Sequence, residues 1–248
     1  MYRLLLASTL LVVVSWETSH AMVEECSQEL PAIVKGYQAP SKLENAFLTL
    51  LRDKTTNTGS FRGAVEKLVP FLVDRVSECL EYNDTVIQTP VVDAYVGTQL
   101  ANKIALVPVL RSGEALLAGF EKYFDQAPVW HVLVQRNEET AKARLIFSKV
   151  PAHIPEDRRE NLRVIIPEPM IATGGSLTIV IEHLKERGVL EKNIIVASVV
   201  AAPEGLHRLA EQFPEICVTV LKIDDNLNEQ FYIVPGLGDF GDRYYGTH

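Results

Sequence analysis

A series of strongly apolar runs, separated by segments of helical pattern, constrains the fold of this chain more than any other feature. The sequence predicts buried strands at 104–110, 129–134, 163–166, 194–200 and 216–223. Helices are predicted at 60–82, 114–124 and 176–187, and the last of these stops at Gly188. Strands that are apolar on both faces are typical of parallel sheets covered by helices on both sides. We therefore predict an α/β fold with a mainly parallel sheet flanked by helices.

The overall charge limits the ligands that such a fold can bind. The 248 residues carry a formal net charge of −8, which argues against a nucleic-acid partner because such binding needs a basic face. An anionic ligand therefore has to be held by a local site, and in an open parallel sheet ligands bind at the carboxyl ends of the strands. The motifs that directly follow the predicted strands are the candidates for that site.

The N-terminus differs from the rest of the chain. A short positive start precedes an apolar run at 4–14, and Ser19 and Ala21 place small residues before a possible cleavage point. This layout predicts a signal peptide at 1–21, an extension at 22–44 and a single domain at 45–248. The run is too short for a membrane span. The prediction favours the secretory pathway; an ordinary first helix or a wrong start site, with a cytoplasmic protein, is the alternative.

The cysteines and histidines give no sign of a metal site. Cys26, Cys79 and Cys217 are far apart in sequence, and no Cys-x-x-Cys pair or Cys/His cluster occurs. We interpret the cysteines as small buried apolar residues.

A glycine-containing loop follows the strand at 163–166. After Glu168, the sequence Pro169-Met170-Ile171-Ala172-Thr173-Gly174-Gly175-Ser176 leads into a predicted helix. Two consecutive glycines let successive amides point to one side, and with the helix N-terminus they form an anion-binding nest. The alternative is an ordinary helix capped by the Ser176 hydroxyl.

Two further features point to the same edge of the sheet. Residues 232–243 contain three glycines and a proline, so they form an irregular ribbon whose main-chain groups can read a planar polar ligand; a surface loop is the alternative. Arg111 and Arg136 follow two of the predicted strands. Guanidinium groups suit phosphate oxygens, although each arginine could instead be a solvated surface charge.

The loop and the ribbon resemble those of the uracil phosphoribosyltransferases, and the similarity extends from about residue 45 to the C-terminus. The resemblance implies a type I phosphoribosyltransferase-like fold with a small hood or arm element. It implies a site for 5-phosphoribosyl pyrophosphate (PRPP) formed by Arg111, Arg136, Glu168, Pro169, Met170, Ile171, Ala172, Thr173, Gly174, Gly175, Ser176 and Asp239. Glu168 departs from the family pattern, which usually has Asp at this position.

The ribbon resembles the uracil-binding segment of the family. By position, Tyr232, Ile233, Gly238, Asp239 and Phe240 are implied to bind uracil. Arg111, Arg136 and Asp239 are implied to be catalytic, and Mg²⁺ is implied to be held by PRPP and by Asp239 rather than by protein groups alone.

The resemblance implies that the enzyme makes UMP and pyrophosphate from uracil and PRPP. It also implies a homodimer or homotetramer and a possible activation by GTP. Two alternatives stay open: a phosphoribosyltransferase for another base, and a non-catalytic member that binds PRPP or nucleotides as an interaction or regulatory protein.

Overall fold

A computed structural model describes residues 30–136 and 143–247, and it confirms the α/β class. The predicted signal peptide and residues 22–29 of the predicted extension lie outside these residues. The helices are α1 (Lys42–Arg52), α2 (Thr58–Ser77), α3 (Glu114–Glu121), α4 (Glu156–Arg159), α5 (Gly175–Glu186), α6 (Pro203–Gln212) and α7 (Phe240–Tyr245). The strands are β1 (Tyr82–Ile87), β2 (Tyr95–Leu100), β3 (Lys103–Leu106), β4 (Val109–Leu110), β5 (Val132–Arg136), β6 (Ala143–Ser148), β7 (Leu162–Pro167), β8 (Met170–Ile171), β9 (Ile194–Ala201), β10 (Cys217–Ile223), β11 (Asn226–Leu227) and β12 (Ile233–Val234).

The central sheet is parallel, as predicted. Its strands lie in the order β10-β9-β7-β3, and β8 pairs with β9 further along. A smaller sheet has the order β4-β5-β6, in which β6 is antiparallel to β5. The predicted single strand at 104–110 is interrupted between Leu106 and Val109. Pro108 lies in this interruption, where its missing N–H cannot contribute to a ladder of hydrogen bonds.

Helices cover both faces of the central sheet, and β9 shows why. All of its residues are buried, and from Ile194 to Ala197 they alternate between two apolar clusters. Ile195 and Val199 pack into the cluster that contains α2 and α3, whereas Ile194 and Val196 pack into the cluster that contains α5. This alternation is what a strand between two helical layers requires, because successive side chains point to opposite faces.

The N-terminal end of the described chain is tied to the far edge of the sheet. The amide of Lys35 donates to the carbonyl of Val218, and the amide of Val218 donates to the carbonyl of Ile33. Glu44, in the first turn of α1, is buried and pairs with Arg75 of α2 at 2.5 Å. Arg75 also donates to carbonyls of β10. Residues before 45 thus contribute to the packing of the sheet.

Two further details differ from the sequence predictions. Cys79 and Cys217 form a disulfide bond, so the interpretation of these two as independent buried apolar residues is wrong. Helix α2 ends at Ser77, before the predicted end at 82, because the chain there enters the hairpin of β1 and β2. Tyr82, Val86 and Tyr95 of this hairpin are exposed. Among the residues with described positions, no helix is both long and apolar enough to cross a membrane.

Candidate active site

A cleft of about 510 Å³ lies where β4 and β7 end and α5 begins. It combines residues from four parts of the chain that are distant in sequence. Among the described residues, its lining consists of Val109, Leu110, Arg111, Ser112, Val134, Gln135, Glu168, Met170, Ile171, Ala172, Thr173, Gly174, Gly175, Ser176, Leu177, Asp239 and Gly241. The structure thus brings together Arg111, Asp239 and most of the predicted loop.

The loop forms as the glycines predict. Gly174 has a φ of 74°, which favours glycine, and it is the N-cap of α5. No side chain caps this helix, so the alternative that Ser176 is the N-cap is wrong. The first amides of a helix have no intrahelical acceptors, and those of α5 border the cleft. This arrangement can bind a phosphate.

Helix α6 holds the loop from behind. A Cβ atom on Gly205 would lie 2.2 Å from the carbonyl oxygen of Ala172, so only glycine allows this approach. The hydroxyl of Thr178, in α5, donates to the side chain of Gln212 at 2.8 Å. The loop therefore has a fixed shape before any ligand arrives.

Glu168 follows the last residue of β7 directly. Its amide donates to the carbonyl of Ala197 at 3.0 Å, which fixes the backbone against β9. Burial raises the pKa of Glu168 to about 8, and a hydrogen bond from the amide of Met170 only partly opposes this shift. The side chain is therefore mainly protonated at pH 7, and it can both donate and accept hydrogen bonds.

Arg111 lies in a tight turn at the end of β4. The amide of Gly113 donates to the carbonyl of Val109 at 2.8 Å, and a Cβ atom on Gly113 would lie 2.4 Å from the carbonyl oxygen of Pro167. The glycine thus lets the turn approach the residue before Glu168. The Arg111 side chain is 59% exposed and is 3.4 Å from the carboxylate of Asp242.

Arg136 is the last residue of β5, and the preceding Gln135 lines the cleft. The structure describes the strand at this position but not the Arg136 side chain. Its role in binding PRPP stays a prediction.

The ribbon at 232–243 is irregular but well anchored. Ile233 and Val234 form the short strand β12, which pairs with β11, so the ribbon is not free along its whole length. The carboxylate of Asp224 accepts from the amide of Gly236, and Arg52 donates to the carbonyl of the same residue at 2.7 Å. The ribbon is thereby fixed at Gly236 on both sides.

The remaining predicted uracil residues have different surroundings. Tyr232 is half exposed, whereas Phe240 is buried and packs edge-on against Phe61 with 5.3 Å between ring centroids. Gly238 has a φ of 79°. Of the ribbon, only Asp239 and Gly241 belong to the described lining of the cleft. The side chain of Asp239 also accepts from the amide of Asp242 at 2.8 Å and so caps α7.

Several residues of the site escaped prediction. Ser112 and Gln135 line the cleft. Only their positions next to the predicted residues Arg111 and Arg136 could have indicated them. Arg52 and Asp224 are far apart in the chain, so no local pattern could have paired them. Among residues 30–136 and 143–247, there is no cluster of three or more acidic, histidine or cysteine side chains that could hold a metal ion.

Comparison with known proteins agrees with this geometry. The family model described as uracil phosphoribosyltransferase matches residues 39–247. A uracil phosphoribosyltransferase from Dictyostelium discoideum is 38% identical over 199 residues, which cover 80% of this chain and 90% of the relative. One from Ureaplasma parvum serovar 3 is 40% identical over 200 residues, with coverages of 81% and 93%.

A solved structure extends the similarity to three dimensions. The AQ2163 protein from Aquifex aeolicus superimposes with a TM-score of 0.72 at 29% identity, covering 86% of this chain and 97% of that protein. The family match spans the loop, the ribbon and every residue that lines the cleft. This chain belongs to the uracil phosphoribosyltransferase family.

Proposed function

We propose that this protein transfers the 5-phosphoribosyl group from PRPP to uracil, giving UMP and pyrophosphate. The observation that carries the proposal is the single cleft that joins an anion-binding loop, Glu168, Arg111 and Asp239. The loop suits a phosphate, and other segments of the same lining add a cation and a carboxylate. A substrate that carries both a phosphate and a pyrophosphate on one ribose matches this set of groups.

Each part of the cleft has a role in this reaction. The first amides of α5 bind the 5′-phosphate, and Glu168 binds the ribose hydroxyls. A ring nitrogen of uracil attacks the anomeric carbon, the bond from that carbon to pyrophosphate breaks, and the proton of the nitrogen passes to water. Arg111 and Arg136 stabilise the negative charge that develops on the departing pyrophosphate. Much of the rate arises from holding the two substrates in line.

The groups that line the cleft fit a magnesium ion that arrives with PRPP. Mg²⁺ prefers oxygen ligands and usually binds one or two carboxylates together with substrate phosphates and water. Asp239 supplies such a carboxylate at the edge of the cleft. The bound ion would neutralise charge on the pyrophosphate.

The anchored ribbon supports the choice of uracil as the base. Main-chain groups held at fixed positions discriminate by hydrogen bonding, because a base with the wrong donors leaves them unpaired; such sites reject analogues by about 10⁴-fold. Cytosine has an amino group where uracil has a carbonyl, so it is expected to be a poor substrate.

The finer predictions belong to this proposal as well. The exposed hairpin of β1 and β2 supports a homodimer or homotetramer, since an isolated two-stranded hairpin is marginally stable and this one has apolar side chains on its surface. Activation by GTP and entry into the secretory pathway remain predictions from the sequence.

The test is an assay of UMP formation by the full chain with Mg²⁺, PRPP and each of uracil, cytosine, hypoxanthine and adenine. Formation of UMP with uracil, and of no nucleotide with the other three bases, would support the proposal. A nucleotide made from another base would instead identify a phosphoribosyltransferase of different specificity. PRPP binding without any product would point to the non-catalytic alternative.

A further inference from the structure

We propose that Tyr245, near the C-terminus, is a positioning residue that holds Arg111 in place for PRPP. This inference rests on the proposed function. Neither the loop nor the ribbon motif that indicated the function assigns a role to this tyrosine. It belongs to α7, whose N-cap is Asp239, so one short helix contacts two of the residues proposed to face the pyrophosphate, Arg111 and Asp239.

The main contact is a hydrogen bond to the backbone of the turn. The hydroxyl of Tyr245 donates to the carbonyl of Arg111 at 3.0 Å. The amide of Glu114 donates to the same carbonyl at 3.2 Å. The carbonyl is therefore held from α3 and from α7 at once, which restricts the direction in which the Arg111 side chain leaves the backbone.

The ring of Tyr245 provides a second contact. The guanidinium carbon of Arg111 is 5.9 Å from the ring centroid, within the range of a cation–π interaction. Asp242, one turn earlier in α7, is 3.4 Å from the same guanidinium. Both partners of this ion pair are well exposed, so it contributes little. The tyrosine is thus the stronger constraint on Arg111.

The helix that carries Tyr245 is itself rigid. Phe240 anchors its first turn in the core, and the Tyr244 ring stacks on Phe240 with 5.9 Å between centroids. Arg62 of α2 donates to the carbonyl of Tyr244 at 2.7 Å. Burial raises the pKa of Tyr245, so its hydroxyl stays protonated and able to donate at neutral pH. A fixed donor can therefore act on the flexible arginine.

A positioning role has a distinct kinetic signature. Arg111 is predicted to contact PRPP and not uracil. Loss of the Tyr245 hydroxyl should therefore weaken PRPP binding while leaving the KM for uracil and the fold unaffected. A purely structural tyrosine would instead affect stability, and both substrates together.

The experiment compares the full-length wild type with Tyr245→Phe, Tyr245→Leu and the control Tyr123→Phe. Tyr123 is exposed and lies just after α3, away from the cleft. Kinetics with both substrates, thermal unfolding and calorimetric titration with PRPP and Mg²⁺ are measured for each. Tyr245→Phe should raise the KM and Kd for PRPP roughly fivefold, as expected for one lost hydrogen bond. Tyr245→Leu, which also loses the ring contact, should raise them by roughly tenfold or more.

Two results would overturn the proposal. In the first, Tyr245→Phe has the same KM and Kd for PRPP as the wild type and Tyr123→Phe. The other is a lower Tm together with equal losses for both substrates, which would make Tyr245 a structural residue. If the wild type forms no UMP, the proposed function fails, yet the calorimetric comparison still tests whether Tyr245 affects PRPP binding.

Discussion

Arg52 and Asp224, which are 172 positions apart in the sequence, form a bidentate ion pair with nitrogen–oxygen distances of 2.9 and 2.6 Å. The carboxylate of Asp224 is fully buried, and it also accepts from the amide of Gly236. The pair therefore connects the end of α1 to the ribbon that supports the uracil assignment. Its strength should determine both folding and base binding.

We expect Arg52→Ala to lower the free energy of unfolding by about 3 kcal/mol, because it leaves a buried carboxylate without its counter-ion. The KM for uracil should also rise, since Gly236 loses a donor to its carbonyl. Chemical denaturation and steady-state kinetics measure the two effects. Lys192→Ala, which breaks an exposed pair with Glu160, is the control and should change stability by no more than about 1 kcal/mol.

The turn that carries Arg111 depends on a glycine. Gly113→Ala would place a Cβ atom 2.4 Å from the carbonyl oxygen of Pro167. We expect a loss of roughly 1 to 3 kcal/mol in unfolding free energy and weaker PRPP binding, since the backbone must shift at the cleft. Gly63→Ala has open space around the new atom and lies inside α2, so it should stabilise the protein by about 0.5 to 1 kcal/mol. Equal effects of the two substitutions would contradict the role of Gly113.

The raised pKa of Glu168 makes stability depend on pH. Glu168 has a pKa of about 8 in the folded state and near 4.5 in the unfolded state, so the folded state binds the proton more tightly. The folded state therefore loses stability as the pH rises from about 4.5 to about 8. Below this window the effect is absent, and above it the effect is complete. Replacing Glu168 with Gln removes the titration. We therefore compare the unfolding free energies of the wild type and Glu168→Gln at each pH. The difference, wild type minus variant, should fall by a few kcal/mol between pH 5 and pH 9, as the size of the pKa shift of Glu168 implies. A pH-independent difference would show that burial of the carboxyl is not costly.

The disulfide between Cys79 and Cys217 closes a loop across 138 positions of sequence. Cross-links over long loops restrict the unfolded chain, and removal of one typically costs 2 to 5 kcal/mol. We expect thiol titration of the unfolded, unreduced chain to count one cysteine, and to count three after reduction. Reduction should lower Tm in wild type but not in a Cys79→Ser/Cys217→Ser double variant.

The side chain of Arg111, which is predicted to bind PRPP, is exposed, so it should be dispensable for folding. Arg111→Ala should leave Tm within a few degrees of wild type, because surface substitutions rarely change stability by more than about 0.5 kcal/mol. The same variant should raise the KM for PRPP at least tenfold, as expected for a lost charge-assisted contact. Unfolding of this variant would show that Arg111 serves the structure instead.

Local patterns were sufficient to predict most of the sheet and the phosphate loop. The run at 194–200 corresponds to β9, and its apolar faces correctly indicated helices on both sides. Gly174 and Gly175 indicated a turn into a helix because glycine alone adopts a positive φ at little cost. These features depend on neighbouring residues, which a single sequence displays directly.

Contacts between distant segments could not be predicted in this way. Nothing near Arg52 in the sequence indicates Asp224, and nothing near Cys79 indicates Cys217. The N-cap of α5 fell at Gly174 and not at Ser176 because the loop packs against α6, which is a tertiary effect. Phe240 is another case: the ribbon motif predicts only a main-chain contact with the base, and no local pattern indicated that its side chain is part of the core.

The pairing of Glu44 with Arg75 has a practical consequence for anyone who wishes to shorten this protein. A chain trimmed to begin at residue 45 would lack Glu44 and would leave the largely buried guanidinium of Arg75 without its carboxylate. It would also expose the edge of β10 that Ile33 and Lys35 cover. Trimming should therefore stop before Ile33, so that the recombinant protein keeps both of these contacts.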